Sequence, residues 1–359
     1  PADIFSEYAY FSSYSDAWLA HAREYVDAMI PLRGLGSDSL VVELASNDGY
    51  LLQYFVQAGI PVLGIEPAAN VAAAGVEKGV PALVEFFDED LARRMVGEGR
   101  RADLIVGNNV LAQVPDLNTF VAGMSVLLAP GGHITIEFPH LLRLMEENQF
   151  DTIYHEHFSY FSLLAAERIF SVHGLTIHDV EELWSHGGSL RIHAGRTADG
   201  VPEPSARMLA VRDAEARAGL HRIETYAAFA EQVRETKRAL LDFLIGVKRQ
   251  GAQVVGYGAP GKGNTLLNYC GIGTDFLDYT VDRNPYKHGR FLPGTHIPVH
   301  DPSRIAETKP DYILILPWNL RDEIHTQLEY TAEWGARCVV PIPTATVLDR
   351  PAPALGRDR

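Results

Sequence analysis

The stretch "SLVVELASNDGYLLQYFVQAG" (39–59) decides the fold. Its apolar, β-branched run Leu40–Leu44 reads as a buried strand. A polar turn ending in Gly49 follows, and Leu51, Leu52 and Phe55 then recur on one helical face. Outward from this strand–turn–helix unit, "IPVLGIEPA" (60–68) reads as a second strand ending in Glu66. "PALVEFF" (81–87), "ADLIVGNNVL" (102–111) and "GGHITIEFP" (131–139) read as further strands, with helical stretches between them. Strands alternating with helices predict an α/β class fold with a mostly parallel, doubly wound sheet. A helix over 162–173, from Ser162 to a stop at Gly174, is expected. "LTIHDVEEL" (175–183) and "GSLRIHAGR" (188–196) then predict an antiparallel hairpin closing that sheet.

Beyond the polar break "DGVPEPS" (199–205), the pattern is helical to about 249, with Tyr226, Phe229, Val233, Leu240, Leu241, Leu244 and Val247 at helical spacing. A second α/β unit is expected from "AQVVGYGAPGKGNTLLNYCG" (252–271), "FLDYTVDRNP" (276–285), "PDYILILPW" (310–318) and "ARCVVPIP" (336–343). The two halves read as related sheet domains. The expected division is 1–35 as an N-terminal helical segment or lid, 36–198 as a cofactor-binding domain, 199–250 as a helical linker, 251–348 as a second α/β domain and 349–359 as a tail.

The totals narrow the function. The chain has 359 residues and a formal net charge of −15, which argues against non-specific nucleic-acid binding. No run of 18 apolar residues predicts a membrane span, and no signal peptide opens the chain, so a soluble, cytoplasmic protein is expected. Cys270 and Cys338 are far apart and have no CxxC spacing, so neither a cysteine zinc site nor a disulfide framework is expected.

A strand–glycine turn–helix with an acid ending the next strand fits a nucleotide-containing cofactor. Glu66 lies 17 residues after Gly49. NAD sites favour G-x-G-x-x-G, and this turn has a single glycine among amide and acidic residues. S-adenosylmethionine (SAM) carries no pyrophosphate and needs no triple glycine, and its ammonium group suits an acid such as Asp48.

"VELASNDGYLL", "GIEP", "NNVLAQVPDL" and "APGGHITIEFPH" resemble a class I SAM-dependent methyltransferase. With "YHEHFSYFS", "GYGAPGKGNTLLNYCGI", "VDRNPYKHGRFLPGTHIPV" and "LPWNLRDEI", the chain resembles the deoxysugar C-methyltransferases of antibiotic biosynthesis, over about 4–348. The resemblance implies a Rossmann-like SAM-binding sheet followed by helices and a second Rossmann-like domain that grips a nucleotide-linked keto-sugar. It implies no nucleic-acid or membrane partner and leaves the oligomeric state open. Two departures stand out. The family opens with a small cysteine-rich zinc domain, expected here to be trimmed or naturally absent. The family usually reads "NNVLAHVPD", where this chain has Gln113.

The candidate cofactor residues are Ala45, Asn47, Asp48, Gly49, Glu66 and Pro67, with Asn108 and Asn109 at a strand's carboxyl end. Tyr8, Tyr10 and Ser12 in the aromatic, hydroxyl-rich opening are expected over the methionine end of SAM. Glu137 and His140 end the next strand and are expected near the substrate.

The second turn, "GYGAPGKG" (256–263), has P-loop spacing at Gly256, Gly261 and Lys262, but Gly263 replaces the Ser or Thr that would hold Mg²⁺. An NTPase is not expected. Lys262 suits a sugar-nucleotide diphosphate, with Tyr257 and Asn264 beside it. Arg283, Tyr286, Lys287 and Arg290 offer positive charge and a stacking ring.

"TIYHEHFSYFS" (152–162) admits three readings. His155 and His157 form an H-x-H pair, but no third ligand is evident and H-E-x-x-H is absent, so no metal is expected. Phe158, Phe161 and Tyr160 suit core packing. The third reading is acid/base chemistry. C-methylation beside a ketone removes a proton and stabilises an enolate, tasks suited to a neutral histidine and a tyrosine hydroxyl. Tyr154 and His157 share a face in a helical turn but not in a strand, so this reading requires that the segment not be a regular strand.

The resemblance implies the same assignment: His157 as base, Tyr154 on the keto oxygen, Glu156 fixing a tautomer or binding sugar, and His155 near the substrate. Gln113 can hydrogen-bond but cannot take a proton at neutral pH. The expected reaction is SAM-dependent methylation of C3 in a dTDP-4-keto-deoxysugar. The alternatives are a sugar O- or N-methyltransferase and a catalytically impaired nucleotide-sugar-binding homologue.

Overall fold

The structure is a computed structural model and describes residues 11–349. The described residues form two compact units: 11–141 with 156–219, and 142–155 with 220–349.

The first unit is built on seven strands: β1 (Val41–Leu44), β2 (Val62–Ile65), β3 (Ala82–Leu83), β4 (Ala102–Asn108), β5 (Leu128–Pro139), β6 (Leu175–Leu183) and β7 (Ser189–Arg196). Their order is β3-β2-β1-β4-β5-β7-β6. The first five run parallel, and β7 is antiparallel to both β5 and β6. This is the class I methyltransferase sheet that the sequence predicts. Helices cover both faces, so β1 and β2 are buried throughout; β2 carries no charged side chain, and β1 is apolar except for Glu43.

Local chemistry sets the helix ends. Asp88, Asp116 and Ser162 cap their helices by accepting from Leu91 N, Asn118 N and Thr119 N, and Ala165 N respectively. The helix Leu163–Val172 therefore starts and stops as the sequence predicts.

Two expected segments are corrected. The helix Asp16–Arg33 is not a lid: Ala22, Tyr25, Val26 and Met29 are buried in the same cluster as Val41, Leu51, Leu52 and Phe55. Nor is 199–250 a linker. Gly219 adopts a left-handed φ of 76° and divides it into Ala206–Ala218 and Ile223–Arg249. The first helix buries Met208, Val211 and Glu215 in the first unit, and the second buries Val233, Leu240, Leu244 and Val247 in the other.

The second unit has strands β8 (Val254–Tyr257), β9 (Thr280–Val281), β10 (Val299–His300), β11 (Tyr312–Ile315), β12 (Arg337–Val340) and β13 (Thr346–Val347). Their order is β10-β9-β8-β11-β12-β13, all parallel except β13. Its first five strands repeat the chain-order pattern of β3-β2-β1-β4-β5. Among the described residues, no helix is long and apolar enough to cross a membrane.

Candidate functional site

In the first unit the candidate residues gather at the carboxyl ends of β1, β2, β4 and β5, the edge where open α/β sheets bind ligands. The turn after β1 is tightly wound, with left-handed φ at Ala45 (57°), Asn47 (50°) and Gly49 (73°). A Cβ on Gly49 would lie 3.0 Å from Val80 Cγ2 on a left-handed backbone, so glycine is favoured there.

Glu66 braces the turn from the end of β2. Its carboxylate accepts from Asn47 N at 3.0 Å and Ala68 N at 2.9 Å. Burial raises its pKa, and those two hydrogen bonds oppose the rise. A carboxylate has about four acceptor sites, which leaves capacity for ribose hydroxyls. Asn47 Oδ1 accepts from Ser12 N at 2.8 Å. Lys78 Nζ donates to Asp48 Oδ2 at 2.9 Å, while Asp48 Oδ1 is buried with no partner. That orphan acceptor suits an ammonium donor. The donor set and the cramped glycine therefore fit the amino-acid and nucleoside ends of SAM. Pro67 lies half-buried between Glu66 and Ala68. Tyr8 and Tyr10 lie outside the described residues.

Sequence reasoning missed Glu43 and its neighbour Tyr50. Glu43 is fully buried beside Tyr50. Burial pushes its pKa well up, a hydrogen bond with Tyr50 opposes the rise, and the charges of Glu66 and Asp48 add to it. The Tyr50 hydroxyl accepts from Asn108 Nδ2 at 3.2 Å, tying the first turn to the end of β4. An acid inside a buried strand was the available signal.

Glu137 and His140 are corrected. Glu137 is fully buried, and both its oxygens are committed to protein groups. His21 Nε2 lies at 2.9 Å from Oε2, Arg191 donates to Oε2 at 2.8 Å, and Ser185 Oγ donates to Oε1 at 2.6 Å. Burial pushes the Glu137 carboxyl up, but the His21 hydrogen bond, the Arg191 and His21 charges and the Ser185 hydroxyl together hold it down, at about 2. His140 Nε2 lies 2.7 Å from Glu215 Oε1, and Glu215 also accepts from Leu163 N and Leu164 N. Both side chains are buried and bonded within the first unit, with His140 Nδ1 left without a partner.

The His/Glu/Tyr segment is not a strand. Tyr154 is a bend and His155–Glu156 a turn, and no regular element follows before the isolated bridge at Phe161. Phe158 N–H donates to the Ala112 carbonyl at 2.7 Å, and Ser159 N–H donates to the same oxygen at 3.3 Å. Gln113 ends the short 3₁₀ turn Leu111–Gln113. The backbone thus joins the residue after His157 to the residue before Gln113. His157 meets the Tyr160 ring edge-on at 6.0 Å.

The boundary between the units falls between His155 and Glu156, so Tyr154 and His155 belong to the second unit. There, a Cβ on Gly261 would lie 3.5 Å from the Tyr154 ring, so the ring packs on the second glycine turn. That turn reads Gly256-x-Gly258-x-x-Gly261, ends β8 and opens the helix Gly261–Cys270. This is the dinucleotide-type pattern, which the P-loop comparison obscured.

At the end of β9, Asp282 accepts from Ala259 N at 2.7 Å, as Glu66 accepts from Asn47 N in the first unit. Lys287 Nζ lies 3.1 Å from both Asp282 Oδ2 and the Ala259 carbonyl, so it braces the turn. Lys262 donates to Asn319 Oδ1 at 2.7 Å and lies 4.7 Å from the Trp318 ring centroid. Asp151 is fully buried: Oδ2 accepts from Trp318 Nε1 at 2.8 Å, and Oδ1 has no partner. Burial raises the Asp151 pKa to about 7, opposed by Lys262 and by the Trp318 hydrogen bond.

Asn264 lies in the first turn of the same helix, its N–H donating to Pro260 O at 3.1 Å. Tyr257 is corrected. It is buried and donates to Gln327 Oε1 at 2.9 Å, a structural contact. Arg283, Tyr286 and Arg290 are exposed on the loop after β9.

Residues 184–343 match a C-methyltransferase C-terminal domain, and residues 18–180 match a methyltransferase domain. The C-methyltransferase NovU of Streptomyces niveus is 38% identical over 350 residues, covering 97% of this chain and 83% of its own. Solved structures similar to this chain include the magnesium protoporphyrin IX methyltransferase ChlM of Synechocystis PCC 6803, at 15% identity, with 50% of this chain and 82% of that one covered and a TM-score of 0.38. Another is a putative sarcosine dimethylglycine methyltransferase of Galdieria sulphuraria, at 11% identity, 50% and 86% coverage and a TM-score of 0.40.

Proposed function

The chain belongs to the C-methyltransferase family, and from that premise we propose that it methylates the carbon beside the ketone, C3, of a dTDP-linked 4-keto-deoxysugar. The methyl donor is SAM, which when bound supplies an electrophilic methyl on a sulfonium.

The observation that carries this reading is the Phe158–Ala112 hydrogen bond, which fastens the His157 segment to the turn after β4. His157 takes the proton from the acceptor carbon, and Tyr154 donates to the oxygen of the enolate that results. The enolate carbon then forms the new C–C bond as the methyl leaves sulfur with its bonding pair left behind. Glu156 orients a histidine or a sugar hydroxyl. Glu66, Asp48, Asn108 and Asn109 hold the cofactor. Holding the reactants in line is most of what the site must do. In the second unit, the Gly256–Gly263 turn, Lys262 and Asn264 take the nucleotide diphosphate, an anion suited to a helix N-terminus beside a lysine.

The test is incubation with SAM and a dTDP-4-keto-6-deoxysugar. A product heavier by one methylene, with a new C–C bond by NMR, is expected. An O- or N-linked methyl overturns C-methylation. Gln113 favours one second reading, an impaired homologue that binds both ligands without transfer. Binding of SAM and sugar with no product after long incubation identifies it.

A further inference from the structure

The connection between β6 and β7 carries a conformation that the methyl-transfer scheme does not use. His186, Gly187 and Gly188 follow one another with φ of 53, 88 and 113°. Glycine adopts such angles freely; in other residues they are uncommon, and His and Asn are among the types that adopt them most often.

His186 Nε2 lies 2.6 Å from Asn109 Nδ2, and Asn109 is itself left-handed, with φ of 54°. Each partner is pinned by its own backbone. Asn109 N–H donates to the Glu137 carbonyl at 2.8 Å, and His140 N–H donates to the Gly188 carbonyl at 3.0 Å. The imidazole meets Trp18 edge-on at 5.3 Å, and Trp18 stacks on Tyr50 at 5.8 Å. Thus two residues with left-handed backbones from distant parts of the chain are joined side chain to side chain at the ligand edge of the sheet. Asn109 Oδ1 is left buried with no partner. An amide whose nitrogen is fixed and whose oxygen is an orphan acceptor is set for a donor that the protein does not supply.

We infer that His186 is a positioning residue of the cofactor site, which holds the Asn109 carboxamide so that Oδ1 accepts a hydrogen bond from the methionyl end of the cofactor. The inference rests on the SAM reading above.

The test is calorimetric binding of S-adenosylhomocysteine to the full chain as wild type, His186→Phe, His186→Gln, Asn109→Ala and the Phe/Ala double variant, with melting temperatures for each. Phe keeps the ring and removes the hydrogen bond. It is expected to weaken binding about tenfold, as for one lost hydrogen bond. Gln supplies an amide oxygen to Asn109 Nδ2 and is expected to recover affinity to within about threefold of wild type. The double variant is expected to bind no worse than Asn109→Ala alone, because the two residues act as one.

Wild-type affinity in His186→Phe, or additive losses in the double variant, overturns the inference while leaving the cofactor reading intact. A lowered melting temperature with unchanged affinity makes His186 structural only and overturns it too. No binding by the wild type overturns the cofactor reading and this inference with it. If His186→Phe fails to fold, the pair Asn109→Ala and Asn109→Ala/His186→Gln decides, since equal affinities are expected and a further loss refutes the coupling.

Discussion

The Phe158 amide donates to the Ala112 carbonyl at 2.7 Å, so His157 and Gln113 flank one backbone hydrogen bond. A histidine at 113 would put a second imidazole on the turn that carries this bond. Gln113→His is therefore expected to raise kcat at least about tenfold, a part of the roughly 10²–10⁴-fold that an acid/base group supplies. Turnover of wild type and variant at saturating SAM and keto-sugar checks it, and equal rates would mean that position 113 takes no part in proton transfer.

His157→Asn keeps a hydrogen-bonding side chain and removes the base. Turnover is expected to fall roughly 10²–10⁴-fold, with affinity for S-adenosylhomocysteine unchanged. Exchange of the substrate's α-hydrogen with solvent, measured without SAM, is expected to fall in parallel. Near-normal exchange in the variant would place the base elsewhere.

Gly49→Ala puts a Cβ 3.0 Å from Val80 Cγ2 on a backbone with φ of 73°. The expected cost is about 1–3 kcal/mol, with the turn displaced and cofactor binding weakened. Chemical denaturation and calorimetry on the same sample read both effects. Gly59→Ala, at a φ of 74° in open space, is the control: it carries the backbone strain without the clash, so its stability loss is expected to be smaller and its cofactor affinity unchanged.

Most of the parallel sheet was legible because its strands are short, mostly apolar runs punctuated by turns, as in 39–59. The Ser162 cap and the Gly174 stop were legible because capping is local chemistry. The roles of Glu137, His140 and Tyr257 were not. A polar residue at a strand's carboxyl end looks the same in sequence whether its partner is a ligand or Arg191, Glu215 or Gln327, and those partners lie 54, 75 and 70 residues away. His186 was invisible for the same reason, since its side-chain partner Asn109 lies 77 residues before it.

Glu137→Gln tests the buried network of the first unit. The wild-type carboxylate is held below its ordinary value, so it contributes stability above about pH 4.5 that is lost as the pH falls through about 2. The amide removes one of the two carboxylates that Arg191 meets, Glu181 remaining at 3.0 Å, and a loss of about 1–3 kcal/mol is expected at neutral pH. Denaturant titrations at pH 7 and pH 3 check this, and the gap between variant and wild type is expected to be smaller at the lower pH.

Asp151 has the opposite sign. Between 3.8 and about 7 the folded protein keeps a proton that the unfolded chain has released, so stability falls as pH rises through that window and then levels. Asp151→Asn, which can still accept from Trp318, is expected to flatten that slope. A slope between pH 4 and 7 unchanged by the substitution would assign it to another group.

The chain passes between its two units after residues 141, 155 and 219. Neither unit is therefore a continuous stretch of polypeptide, and no single cut yields both intact. On the ribosome, the first unit can be complete once residue 219 has emerged, whereas 142–155 must wait for the strands that begin at Val254. During that interval Phe150 and the uncompensated carboxyl of Asp151 have neither Tyr269 nor Trp318 to cover them. A truncation at 219 would make that interval permanent, so an excised methyltransferase half is best expressed with 142–155 replaced by a short polar connector.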